Sequence, residues 1–202
     1  MTVLLIAGGP SQRSRSGALL DAVGQRVGAR GGRVGRIDVA ALPPQALVEG
    51  DAAHRSLALA IDQVAAAQAV VLATPVQRAS YGGLLKLFID LLPQAAFRGK
   101  TVLPLGTAGT AAQAQGLDEA FRPVLLSLGT EKLLPGIYAA DAEVALTPEG
   151  AHLIGPRVAQ RLDHAAGQLA GWAAAGEAIV VQPSPSFAPA ASMRHAPAGC
   201  HA

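Results

Sequence analysis

Three short stretches of this chain gather hydroxyls, guanidinium groups and glycines in a sequence of which only 15% of the residues are charged. The first, GGPSQRSRSG (residues 8–17), places Ser14, Arg15 and Ser16 directly ahead of an apolar run. Two hydroxyls and a guanidinium fork can donate charge-assisted hydrogen bonds. A helix beginning near Ser16 would add unpaired backbone N–H groups and the positive end of its dipole. That set suits a phosphate. The competing reading is a polar connector in which Ser14 or Ser16 only caps the helix. The second stretch, TPVQRASYGG (74–83), has a proline that ends a strand and two glycines that let backbone approach something flat. It also reads as a turn with Ser80 as a helix cap and Tyr81 packed behind it. The third, GTAGT (106–110), offers small residues and backbone donors ahead of a helix starting near Ala111, or simply tight strand-to-helix packing. Each is weak alone; the order of the elements around them decides whether they meet.

Apolar runs at 3–7, 34–39, 69–74, 101–105 and 134–139 read as strands. Segments with helical periodicity lie between and after them, at 16–30, 53–67, 80–92, 111–128 and 149–174. Strands that alternate with helices and are apolar throughout belong to a parallel sheet covered on both faces. The expected fold is therefore α/β: a flavodoxin-like, doubly wound, five-stranded parallel sheet in three α/β/α layers. In such sheets ligands bind beyond the carboxyl ends of the strands, where the strand order reverses. The three loops follow the first, third and fourth strands, which puts them at that one edge. Residues 1–181 should form the domain, and the Pro/Ala-rich stretch 182–202 a disordered C-terminal tail. In the helix expected at 80–92, Leu84, Leu85, Leu87, Phe88, Ile89, Leu91 and Leu92 are apolar around nearly the whole circumference. A sheet-covering helix needs one apolar stripe, so a second burial surface, most simply another subunit, is expected.

Composition excludes several classes. A net charge of +2 and scattered arginines do not suit nucleic acid. No apolar run approaches the length of a membrane span, and the N-terminal strand lacks the basic flank and cleavage site of a signal peptide. The single cysteine, Cys200, excludes an intrachain disulfide and fits a reducing cytoplasm. The histidines at 54, 152, 164, 195 and 201 have no ligand spacing, so no metal is expected. The dinucleotide fingerprint G-x-G-x-x-G is absent after the first strand, and no G-x-S-x-G elbow occurs.

Taken together, TPVQRASYGGLLKLFIDLLP, GKTVLPLGTAGT and LDEAFRPVLLSLG closely resemble the NADPH-dependent FMN reductases of the flavodoxin-like superfamily. Within them the chain looks most like the alkanesulfonate-utilisation reductases, which hand reduced FMN to a flavin-dependent monooxygenase. The likeness runs from the first strand to about Tyr138. It implies an FMN phosphate on Ser14, Arg15 and Ser16, beside Gly9, where the family often has serine. It places the isoalloxazine edge at the backbone of Pro75, Val76 and Gln77, with Tyr81 close by; an aromatic residue is common at the position of Gln77. The pyrimidine side would meet the backbone of Thr107, Ala108, Gly109 and Thr110. Hydride would pass from NADPH, or NADH, to flavin N5 with no side-chain acid, and Arg78 and Arg13 could meet the extra phosphate of NADPH. With the second burial surface on the 80–92 helix, a homodimer or homotetramer is expected. Glu119 stands where the alkanesulfonate-type enzymes carry a tyrosine linked to flavin exchange, which leaves open FMN as diffusing substrate or as bound prosthetic group. Other readings of the same fold are an FMN-bound reductase of quinones or other acceptors, a flavodoxin-like electron carrier, and a binding protein without nicotinamide turnover.

Overall fold

The computed structural model describes residues 1–11, 14–147 and 151–175. In chain order the strands and α-helices are β1 (Thr2–Ala7), α1 (Arg15–Ala29), β2 (Arg33–Asp38), α2 (Pro44–Glu49), α3 (Arg55–Ala66), β3 (Ala69–Gln77), β4 (Ser80–Tyr81), α4 (Gly83–Asp90), β5 (Thr101–Ala108), α5 (Ala111–Ser127), β6 (Lys132–Leu133), β7 (Ile137–Ala140), β8 (Val144–Leu146), β9 (His152–Ile154) and α6 (Pro156–Ala175). The main sheet runs β2-β1-β3-β5-β6, with β7 also on β5, all of them parallel. This is the flavodoxin-like order, and it reverses between β1 and β3.

The burial pattern explains why uninterrupted apolar runs became strands. Successive side chains of a strand point to opposite faces. Val3 and Leu5, with Ala69, Val71, Leu103 and Leu105, pack under α1 and α6. Leu4 and Ile6, with Val70, Leu72 and Val102, pack under α2 to α5. Both faces are covered, so β1 and β5 carry no regular polar–apolar alternation. Gly24 lets α1 settle closely on the sheet, since a Cβ there would stand 2.7 Å from Leu5 Cδ1.

Four local expectations need correction. The fifth strand is not one run over 134–139 but two short strands, β6 and β7: Leu134 N still donates to Val102 O at 2.9 Å, but Pro135 has no N–H to donate and the chain leaves the ladder until Ile137. β3 does not stop at Thr74: it continues through Pro75 to Gln77, since β1 ends alongside Ala73 and one flank of β3 is open beyond it. The helix expected from residue 80 starts only at Gly83, because Ser80 and Tyr81 fold back on Gln77 and Val76 as an antiparallel hairpin; Gly82, not Ser80, precedes it as the cap. The last helix starts at Pro156, not 149, and a small β8–β9 hairpin occupies part of the preceding stretch. Proline is favoured in the first turn of a helix, where its missing N–H would have no partner.

No helix among the described residues is long and apolar enough to cross a membrane. Of the expected apolar circumference of α4, Leu85, Phe88, Ile89 and Leu92 are buried within the chain, while Leu87 is 36% exposed. The boundary expected at 181 and the tail 182–202 lie outside the described residues.

Candidate functional site

At the reversal point the chain leaves β1 through Gly8, whose N–H donates to Ala73 O at 2.8 Å and ties the first loop to β3. Ser14 then caps α1: its Oγ accepts from Gly17 N at 3.0 Å. Ser16, 1% exposed, lies with its Oγ 3.3 Å from Ser14 Oγ. Gly9 faces this pair. A Cβ on Gly9 would come within 3.2 Å of Ser14 Oγ, 3.5 Å of Ser16 Oγ and 3.5 Å of Pro75 Cδ, so any side chain there would crowd the hydroxyls. Capping accounts for Ser14 and leaves the buried Ser16 hydroxyl beside it unused.

Arg15 supplies the positive charge. Its Nε donates to Val144 O at 3.1 Å, and Nη1 lies 3.4 Å from Asp141 Oδ2. Both side chains are close to half exposed, 42% for Arg15 and 43% for Asp141. The guanidinium is thus aimed from the far side, by a turn at the end of β7, toward the space in front of α1.

The second loop is shaped by strain. Arg78 and Ala79 form the two-residue turn of the β3–β4 hairpin with φ of 50° and 61°. Such turns match the twist of the strands but ordinarily use Asn or Gly, and a non-glycine residue in this region costs on the order of 1 kcal/mol. The turn is held by its surroundings. Thr74 Oγ1 accepts from Gly82 N at 2.9 Å, and Tyr81 stacks on Phe121 with ring centroids 5.0 Å apart. The third loop follows β5, where Thr107 and Ala108 are buried and Thr110 caps α5 by accepting from Gln113 N at 3.3 Å.

These three loops enclose a pocket of about 310 Å³, lined by Pro10, Ser11, Ser14, Arg15, Pro75, Val76, Gln77, Thr107, Ala108, Gly109 and Asp141. Its volume is that of a small-molecule site. Of the residues expected at the site, Ser14, Arg15, Pro75, Val76, Gln77, Thr107, Ala108 and Gly109 therefore meet at one wall-to-wall cavity. Gly9 and Ser16 lie behind Ser14, Thr110 is engaged as a cap, and Tyr81 packs on α5 rather than lining the pocket. Arg78 is exposed at the hairpin tip. Arg13 lies outside the described residues. Glu119 is exposed on α5.

Sequence reasoning missed Asp141. It is 126 residues from Arg15, and only the rule that loops after parallel strands converge could have pointed to the end of β7. A larger cavity of about 470 Å³ lies between β7 and α6, bordered by Arg157, Arg161 and His164. Arg161 there is engaged by the carbonyls of Gly136 (2.7 Å) and Tyr138 (3.4 Å) on the outer strand, and none of the three loops reaches it.

The donor set fits a flavin phosphate and ring. The Ser14 hydroxyl, the Arg15 guanidinium and the start of α1 face one side of the pocket, and residues 75–77 and 107–109 line the other.

Comparison with known proteins gives the same direction. Residues 1–142 match the family described as NADPH-dependent FMN reductase. The chain is 39% identical over 145 residues to the FMN reductase (NADPH) of Pseudomonas putida, covering 72% of this chain and 74% of that protein. It is 35% identical over 144 residues to the FMN reductase (NADPH) of Escherichia coli, covering 71% and 75%. Among solved structures it is similar to the apo form of the NADH:FMN oxidoreductase EMOB, with 33% identity, a TM-score of 0.76, and coverage of 85% of this chain and 89% of that one.

Proposed function

From the premise that this chain belongs to the NADPH-dependent FMN reductase family, and so is an oxidoreductase acting with FMN and NADPH or NADH, we propose that the pocket at the β1–β3 reversal is its flavin site and that the reduced flavin serves a partner monooxygenase. The observation that carries the site is the convergence of Ser14, Arg15, the 75–77 backbone and the 107–109 backbone on one cavity.

Bound there, FMN supplies a two-electron acceptor for the hydride of the reduced nicotinamide. The protein's residues have simpler tasks. Ser14 and Arg15 would hold the phosphate through hydroxyl and guanidinium donors, with Ser16 Oγ behind them at 3.3 Å from Ser14 Oγ, and the first turn of α1 would add its dipole. Gly9 keeps that cradle open. The backbone of Pro75, Val76 and Gln77 fixes the edge of the ring, and its register is set by the braced β3–β4 turn. Backbone N–H groups at the end of β5 and ahead of α5, from Thr107, Ala108, Gly109 and Thr110, would supply partial positive charge to the pyrimidine side of a bound flavin. No side-chain acid or base is needed, so alignment is the protein's contribution. Arg78, exposed at the hairpin tip, would meet the additional phosphate of NADPH. Leu87 on α4 joins the half-buried Leu84 and Leu91 in a contact with another copy, giving a homodimer or homotetramer.

Oxidation of NADPH and of NADH, measured with and without added FMN, tests the reading. Turnover that depends on flavin is expected. A colourless protein that neither binds FMN nor consumes either nicotinamide would overturn it, and flavin binding without turnover would make the chain an electron carrier. Sedimentation over a dilution series tests the assembly: a stable monomer at micromolar concentration would refute it.

A further inference from the structure

We infer that Asp141 governs how long FMN stays in the pocket: its carboxylate, set against Arg15 on the pocket wall, loosens the hold on the phosphate and keeps the flavin exchangeable. This rests on the reading that Arg15 receives the FMN phosphate.

A carboxylate beside an anion-binding arginine can do one of two things. It can orient the guanidinium, or it can compete with the anion for it. The structure separates these roles. Arg15 is already oriented by Val144, whose carbonyl accepts from Nε at 3.1 Å. Val144 is 0% exposed in the core beneath α1, so its carbonyl is a fixed post. The segment that carries Asp141 is likewise pinned without the Asp141 carboxylate: Ala140 N donates to Glu143 Oε2 at 2.9 Å, and Gly155 N donates to Glu143 O at 2.8 Å. Removing the charge of Asp141 would therefore leave both Arg15 and the turn in place.

What remains for Asp141 is its charge. It lines the same cavity as Ser14 and Arg15, so an incoming phosphate dianion meets a like charge on the wall. Either the phosphate displaces Asp141 from Nη1, which leaves the carboxylate unpaired, or the two anions share one guanidinium. Both arrangements weaken binding relative to a neutral side chain at 141. The pair is 42% and 43% exposed, so water screens the repulsion and the effect is modest. Loss of the charge should tighten FMN by about three- to tenfold, mostly through slower release.

The test is D141N, with FMN and riboflavin as the two probes. Affinity is read from quenching of flavin fluorescence, and release from stopped-flow displacement. The inference expects a lower Kd and slower release for FMN, and no change for riboflavin, which lacks the phosphate. Unchanged or weaker FMN binding would overturn it, since Asp141 would then be neutral or an orienting residue. Equal tightening of FMN and riboflavin would also overturn it, because the effect would be one of shape. R15A separates the underlying reading. If FMN affinity is unchanged in R15A, the phosphate lies elsewhere and both statements fall; if R15A weakens FMN but D141N does not tighten it, only the inference falls.

Discussion

Two cationic side chains stand at opposite ends of the sheet and are treated in opposite ways. Lys100, just before β5 at the amino ends of the strands, is 9% exposed, and its Nζ donates to Ala65 O and Ala67 O at 2.7 Å each. These are among the last carbonyls of α3, which a helix leaves without partners of its own. Burial lowers the Lys100 pKa below its ordinary value. Arg15, at the carboxyl ends, is 42% exposed, holds one carbonyl and one carboxylate, and fronts a cavity. One charge closes a structural gap. The other is positioned and left accessible. On the proposed reading the two ends of the sheet divide stability from ligand binding, and the division can be attacked directly.

The largest effect is expected from Lys100→Met, which strips two carbonyls of their donor and should cost about 2–4 kcal/mol of unfolding free energy. FMN affinity of the protein that remains folded should not change. A drop in flavin affinity with stability intact, measured by urea unfolding and flavin titration, would erase the contrast. Arg15→Ala should do the reverse: FMN binding weaker by about 1.5–3 kcal/mol, roughly tenfold to a hundredfold in Kd, with little change in urea midpoint. Arg15→Lys sharpens the point, because it keeps the charge and loses the planar fork. A loss of about 1 kcal/mol in FMN binding would assign the remainder to the fork geometry.

Tyr138 is an intermediate case. Its hydroxyl donates to Asp118 at 2.9 Å and joins β7 to α5. Burial first, then that hydrogen bond, raises its pKa above the ordinary 10.0. A raised pKa means that the folded chain keeps a proton the unfolded chain has lost, so this contribution is complete below pH about 10 and declines above it. Tyr138→Phe should cost about 0.5–1.5 kcal/mol near neutral pH. The gap between the two proteins should narrow at higher pH in chemical-denaturation curves. A gap that widens with pH would contradict the assigned cause.

Much of this architecture was legible in advance, and the reasons differ by element. The runs around Val3 and Val71 could only be strands buried on both faces, because no polar alternation interrupts them. The polar loops followed from those assignments, since loops after parallel strands must share one edge. Ser14 as a cap was visible beside the alternative of an anion site, and the structure shows the cap, Ser14 Oγ accepting from Gly17 N. The β3–β4 turn was not legible. Arg78 and Ala79 are poor residues for a positive φ, and only the stack of Tyr81 on Phe121 and the bond from Gly82 to Thr74 make that turn the better choice. The split of the last strand at Pro135 and the β8–β9 hairpin were missed for a similar reason, as runs this short have no periodicity to read.

By itself, the amino-acid order determined the layers, the sheet and the edge at which chemistry must occur, because those depend on patterns of two or four residues that repeat locally. Tertiary structure alone decided that Arg15 faces Asp141 across 126 residues and that Lys100 closes the end of α3. Such pairs form only when the folded sheet brings distant loops within hydrogen-bond reach, and no local pattern encodes that distance.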